Sequence, residues 1–174
     1  MKLAFHPLTL DRWPDIVQLF GERGACGGCW CMAWKLKRSH FHQQKGAGNK
    51  KAFEAIVASG EVPGLLAYDN GRAIAWCAIE PREKYPVLEN SRILKRVDDQ
   101  PVWSIVCLFV DKAYRRKGVS AQLIKAAADY AEECGARLVE GYPHELKKDL
   151  PDAFVWTGLA SAFRQAGFVE VARR

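Results

Sequence analysis

The sequence predicts a single α/β (α+β) domain over residues 1–174, built on a mixed sheet with helices on both faces. Three stretches carry that expectation. Residues 102–110 are almost continuously apolar, as a central strand covered on both faces must be. Residues 119–134 place Val119, Leu123, Ala127, Tyr130 and Cys134 on one stripe, with Gln122, Lys125, Asp129 and Glu132 facing away, the pattern of an amphipathic helix. Residues 137–141 return to strand character. A strand, a helix and a strand with short connections require a parallel pair joined by a right-handed crossover.

The remaining elements follow in order. Residues 3–7 read as a first strand. Thr9 is positioned to cap a helix through residue 21, with Trp13, Ile16, Val17 and Phe20 on its apolar face and Pro14 in its tolerant first turns. Asn49 is placed to cap a second helix, residues 50–59, with Phe53, Ile56 and Val57 inward. Residues 64–68 and 73–79 form strands joined through Asp69-Asn70-Gly71, a strong hairpin signal. Residues 81–100 read as a loop with some helix, anchored by Tyr85, Val87, Leu88, Ile93 and Leu94. After the central unit come a charged connection at 143–155, a short helix at 159–166 ended by Gly167, and a last strand at 168–172.

The bulk properties narrow the partners. With 26 basic and 20 acidic residues the net charge is +6, which favours an anionic partner. Because the basic residues are dispersed, nucleic acid is the weaker choice. No stretch approaches a membrane span, and the opening residues lack the apolar run of a signal peptide. A cytoplasmic protein with six free thiols is expected.

The turn between the central strand and its helix carries the functional signal. Arg115, Arg116 and Lys117 crowd the helix N-terminus, while Asp129, Glu132 and Glu133 sit near its C-terminus, against the helix dipole. An anion on the free N–H groups reverses that cost, and Gly118 lets backbone approach a ligand closely. A solvated basic turn is the alternative reading. Neither the paired-glycine dinucleotide pattern nor the P-loop lysine pattern is present.

What is present is Arg-x-x-Gly-x-Ser from Arg115 to Ser120, five residues beyond a buried strand ending in Leu-x-Val, with Ala166-Gly167-Phe168 after a short helix. This resembles motif A and the C-terminal pattern of the GNAT N-acetyltransferase superfamily, with Ser120 in place of the usual Gly or Ala. The element order is similar over nearly the whole chain, and the Cys-x-x-Cys-x-Cys cluster marks a subfamily. The resemblance implies a GNAT-like mixed sheet whose central parallel pair splays around the cofactor. It implies acetyl transfer from acetyl-CoA, as co-substrate, to the amine of a small-molecule or peptide acceptor. Carried over residue by residue, the CoA pyrophosphate would lie on Arg115, Arg116, Lys117, Gly118, Val119 and Ser120. The pantetheine arm would pair with the backbone of Leu108, Phe109 and Val110, as an added strand pairs with a sheet edge.

The proton-transfer groups depart from the family pattern. The family's glutamate on the central strand corresponds to Ser104, and no carboxylate lies in residues 102–110. Glu80, at the end of the hairpin strand, and Glu140, interrupting the apolar run at 138–142, are the nearest candidates; exposure is the bland reading of the first, structural hydrogen bonding that of the second. The family's tyrosine acid corresponds to Phe163, leaving Tyr142 or a water, and its frequent asparagine falls near Trp156. These departures keep open a second class of function, a CoA-binding or metal- or redox-responsive regulatory module with little turnover.

Cys26, Cys29 and Cys31, with His40 and His42, hold possible zinc ligands, but no second Cys-x-x-Cys follows and the histidines are closely spaced. A reactive thiol activated by Arg23 or Lys35 is a second reading. Small buried residues packing a Trp-rich segment is the favoured one, so no metal is expected. By resemblance this segment borders the acceptor site, which makes Trp30, Met32 and Trp34 candidates for its wall. Cys77, Cys107 and Cys134 read as core. Relatives carry a strand beyond the last one here, and an open edge favours a homodimer.

Overall fold

The structure, a computed structural model, describes residues 2–145 and 154–174. The sheet runs β1 (Ala4–Pro7), β2 (Gly64–Asp69), β3 (Arg72–Pro81), β4 (Trp103–Val110) and β5 (Val139–Gly141), in that spatial order. All neighbours are antiparallel except β4 and β5, which are parallel. Asn70 and Gly71 link β2 to β3 with φ of 49° and 79°, the left-handed pair that a tight hairpin requires.

Helices cover both faces. On one lie α1 (Trp13–Phe20), α2 (Arg38–Gln43), α3 (Ala47–Ala58) and the cysteine-bearing segment between α1 and α2. Phe20, Trp30, Phe53 and Trp76 interlock there, with Phe53 and Trp76 ring centroids 5.7 Å apart in an edge-to-face arrangement. On the other face lie α5 (Val119–Glu133) and α6 (Ala160–Gln165), packing Leu123, Ile124 and Phe163 on Ile74, Ile79 and Ile105. Each such fully buried side chain contributes about 1.5–3 kcal/mol. The short helix α4 (Pro86–Glu89) sits in the 81–100 segment, anchored by fully buried Tyr85 and Leu88. Among the described residues no helix is long and apolar enough to cross a membrane.

Several sequence expectations need correction. Thr9 caps no helix: its hydroxyl bonds Asp11 and Arg12 ahead of a 3-10 turn, and α1 begins at Trp13. Asn49 lies inside α3, fully buried, and its Nδ2 donates to Gly28 O (3.1 Å) and Phe41 O (3.3 Å). It therefore ties the cysteine segment to α2 and α3. Asn49→Ala is expected to cost about 1–3 kcal/mol in urea unfolding, because two part-buried carbonyls lose a donor, although Gly28 O keeps the Gly46 N–H. Ile93 is exposed, and so is Cys134, because α5 ends there and Ala131 takes the inward place. Residues 168–172 form no strand: no described strand lies alongside to complete a ladder, and Val169 and Val171 point to solvent while Phe168 packs on Phe163. Of the charged connection at 143–155, residues 146–153 lie outside the described residues.

Candidate active site

The central strand is bent by one extra residue. Ile105 pairs with Ile79 and Cys107 with Ala78, so Val106 has no partner on β3. Such a bulge bends and twists the strand locally. Parallel pairing with β5 ends at the same place, at Ile105 and Gly141. Beyond it the β4 edge meets other groups: the Trp34 Nε1–H donates to Val106 O (3.2 Å), Leu108 N–H donates to Trp156 O (2.7 Å), and Arg115 Nε–H donates to Val110 O (3.0 Å).

The same strand leads into the turn. Asp111 accepts from Ala113 N–H through its side chain, Arg116 is left-handed at φ 59°, and Gly118 is left-handed at φ 75° immediately before α5. A Cβ at Gly118 would meet nothing within 4 Å, so the space in front of this backbone is open. No side chain caps α5, and among the described residues no backbone carbonyl takes the N–H groups of Val119 and Ser120. Uncapped donors, left-handed residues at 116 and 118 and three cations together are the features of an anion-binding concavity. These features fit a pyrophosphate. An extended arm bonded along Leu108–Val110 fits as well once it replaces the Trp156 carbonyl.

The two carboxylates singled out from the sequence come together. Glu80 stands opposite Ser104 in the β3–β4 register, and Ser104 stands opposite Glu140 in the β4–β5 register. Side chains so paired have Cβ atoms about 5 Å apart. Their surroundings differ sharply. Glu80 is not exposed, as a strand end suggested, but only 3% accessible, and ion-paired with Lys35 at 2.5 Å. Burial raises its carboxyl above the usual range, with Lys35 pulling the other way. Glu140 keeps a 20% exposed side chain. Its Oε1 accepts from Arg82 Nη1 (2.8 Å), from Ser104 Oγ (2.8 Å) and from the Tyr142 hydroxyl, while among the described residues no donor reaches Oε2. Burial, then the bond to Glu140, pushes the Tyr142 phenol well up, so it stays protonated at neutral pH.

Arg82 was not visible as a site residue in the sequence. It is fully buried and spreads its guanidinium over Glu89, Glu140, the Tyr142 oxygen (2.7 Å) and the carbonyls of Leu88 (3.3 Å) and Leu94 (2.6 Å). The only local signal was a charged residue directly after a strand-ending proline.

The cysteines separate. Cys26 is exposed, Cys29 Sγ lies 3.6 Å from Gly24 O, and buried Cys31 lies 3.2 Å from the Cys107 sulfur and accepts from Trp76 Nε1 (3.1 Å). Among the described residues no three His, Cys, Asp or Glu side chains are grouped to hold a metal. The bond with Cys107 and burial raise the Cys31 thiol well above its ordinary range, and burial raises Cys29, the opposite of thiolate activation. Lys35, offered as an activator, is spent on Glu80. Trp30 and Met32 belong to the core; of the proposed acceptor wall only Trp34 is half-buried, and it lies 5.7 Å from Trp156, centroid to centroid. Two shallow surface depressions, one beside Tyr68 and one beside Tyr130, lie away from these residues.

A bulged central strand, whose pairing with its parallel neighbour ends at the bulge and which feeds a cationic turn at a helix start, is the arrangement this α/β domain presents. The model of the acetyltransferase (GNAT) family matches residues 30–144, more than half of the chain. The chain belongs to the GNAT acetyltransferase family, which makes it an acyltransferase by class. A comparison with curated protein sequences gives no match. Among solved structures, it is similar to aminoglycoside N-acetyltransferase AAC(6')-Iy in complex with a CoA bisubstrate analogue, with TM-score 0.60, 17% identity, and 100% of this chain and 95% of that chain covered. The aminoglycoside 6'-N-acetyltransferase AAC(6')-Ih of Acinetobacter baumannii aligns with TM-score 0.55 at 17% identity over 99% and 95% of the two chains. An aminoglycoside acetyltransferase from an uncultured soil metagenomic sample, in complex with sisomicin, aligns with TM-score 0.56 at 15% identity over 99% and 93%. At these identities the likeness is one of fold.

Proposed function

We propose that the chain is an acetyl-CoA-dependent N-acetyltransferase in which Glu140 receives the proton of the acceptor amine. Arg115, Arg116 and Lys117, with the backbone of Gly118, Val119 and Ser120, hold the pyrophosphate. Leu108, Phe109 and Val110 carry the pantetheine arm along the strand edge beyond the bulge. Bound acetyl-CoA supplies an activated acetyl thioester that an uncharged amine attacks directly.

The observation that carries this reading is the register pair Ser104–Glu140. The carboxylate missing from the central strand is supplied from the adjacent strand, one lateral step away, with one oxygen held by three donors and the other free among the described residues. Oε2 accepts the ammonium proton, and Arg82, Ser104 and Tyr142 keep the carboxylate aimed. Glu80, sealed beneath Lys35, has no such access and holds Lys35 over the Tyr85 ring, 4.9 Å from its centroid. A carboxylate placed this way favours a transferase over a CoA-binding module without turnover, and no role in the site falls to a metal. The acceptor is an amine; the aminoglycosides named for the structural neighbours belong to those proteins, and a likeness of fold does not carry them to this chain.

Glu140→Gln keeps the shape and removes the proton acceptor. Its kcat is expected to fall about 10²–10⁴-fold with CoA affinity unchanged, measured by thiol release and calorimetry. An unchanged kcat removes Glu140 from the proton path.

A further inference from the structure

We propose, on the basis of the transferase reading above, that the acceptor carries a single amine on a flat apolar body, with its ammonium at Glu140 and its body against Trp34 and Trp156, and that polycations are poor acceptors. Charge is the first reason. The carboxylates around Ser104 are already matched by the chain's own cations: Glu80 by Lys35 at 2.5 Å, Glu89 by Arg82 and by Arg96 at 2.8 Å, and one Glu140 oxygen by Arg82 at 2.8 Å. Glu140 Oε2 remains for one ammonium. A second or third ammonium would enter beside Arg82 and Lys35, in a chain of net charge +6, and among the described residues around Ser104 no further carboxylate is released to receive it.

The aromatic wall is the second reason. Trp34 is pinned at the bulge by its own N–H on Val106 O, and Trp156 packs against it with centroids 5.7 Å apart and rings tilted by 38°. The Trp156 carbonyl bonds Leu108 N–H here and gives up that donor when the pantetheine arm takes it, so the ring contact with Trp34 is what keeps the second indole in place. Both indoles are only partly buried at the edge of the core, and the part the chain leaves uncovered is apolar surface for a flat ligand. Ser104 and Val106 are two residues apart on one strand, about 7 Å. Glu140 bonds the first of these residues and Trp34 the second, so the carboxylate and the first indole are anchored to neighbouring places on one strand.

The test compares acceptors on the purified chain with acetyl-CoA, reading thiol release for phenethylamine, tryptamine, spermidine and a polycationic aminosugar. The expected result is kcat/KM for the two aromatic amines at least about tenfold above that for the polycations, the size of one well-formed aromatic contact. Trp34→Leu is expected to raise KM for phenethylamine by a similar factor and KM for spermidine by much less, with calorimetric CoA affinity as it was. Trp34→Phe, which keeps a ring, restores most of the loss. Faster turnover of spermidine or the aminosugar overturns the acceptor assignment and leaves the transferase reading standing. Equal losses for both amines in Trp34→Leu overturn the indole contact. CoA binding without thiol release from any amine overturns the transferase reading and this assignment with it.

Discussion

Gly118→Val removes CoA binding while the domain stays folded. Gly118 sits at φ 75° and ψ 8°, a conformation a β-branched residue adopts only under strain, so the backbone is pushed out of its turn. The local cost, about 1–2 kcal/mol, is within the margin of an ordinary domain. The ligand loses more. The new side chain points into the open space before the uncapped start of α5, and displacing two charge-assisted backbone bonds weakens binding at least about a hundredfold. Gly135→Val is the control: Gly135 closes the far end of the same helix at φ 92°, also with no atom within 4 Å. Both variants carry the strain, and only the first is expected to lose affinity in calorimetry with CoA. Equal affinities would move the anion site elsewhere.

Arg82→Met is the substitution with the largest expected effect on stability. The guanidinium is fully buried and serves two carboxylates, a phenol oxygen and two carbonyls; among the described residues the other cation reaching any of them is Arg96, on Glu89. Removing one partner of a buried ion pair strands the other, at about 3–5 kcal/mol. The thermal midpoint is expected to fall by roughly 10 °C. Arg82→Lys does not rescue it, because a single ammonium cannot span the planar fork that bonds Glu89 and Glu140 together. Arg82→Met also removes one of the three donors on Glu140 Oε1, so kcat is expected to fall at temperatures where the protein is still folded. A midpoint within a degree or two of the parent would mean the network contributes nothing net.

Much of the fold was legible because it rests on local chemistry. The apolar run at 102–110, the stripe of Val119, Leu123 and Ala127, and the Asn70-Gly71 turn each specify their own backbone, and all appear where the sequence places them. Legibility failed where a residue's meaning depends on a distant partner. Asn49 looks like a cap, yet it is drawn inward by carbonyls from residues 28 and 41. Glu80 looks exposed at a strand end, yet Lys35 arrives from the other side of the chain to cover it. The alternation at 168–172 looks like a strand, yet none of the described strands pairs with it.

The sequence by itself determined the organising unit: a buried strand, the turn Arg115 to Ser120, and a helix whose N-terminal cations run against its dipole. Those properties are encoded within a few residues, through hydrophobic period, glycine φ and charge order. The tertiary structure alone decided which polar groups stand together. The row Glu80–Ser104–Glu140 depends on two registers, the Trp34–Val106 bond on a bulge, and the burial of Arg82 on segments up to 60 residues away. Register and long-range contact are settled by the packing of whole faces, so no short stretch of sequence contains them.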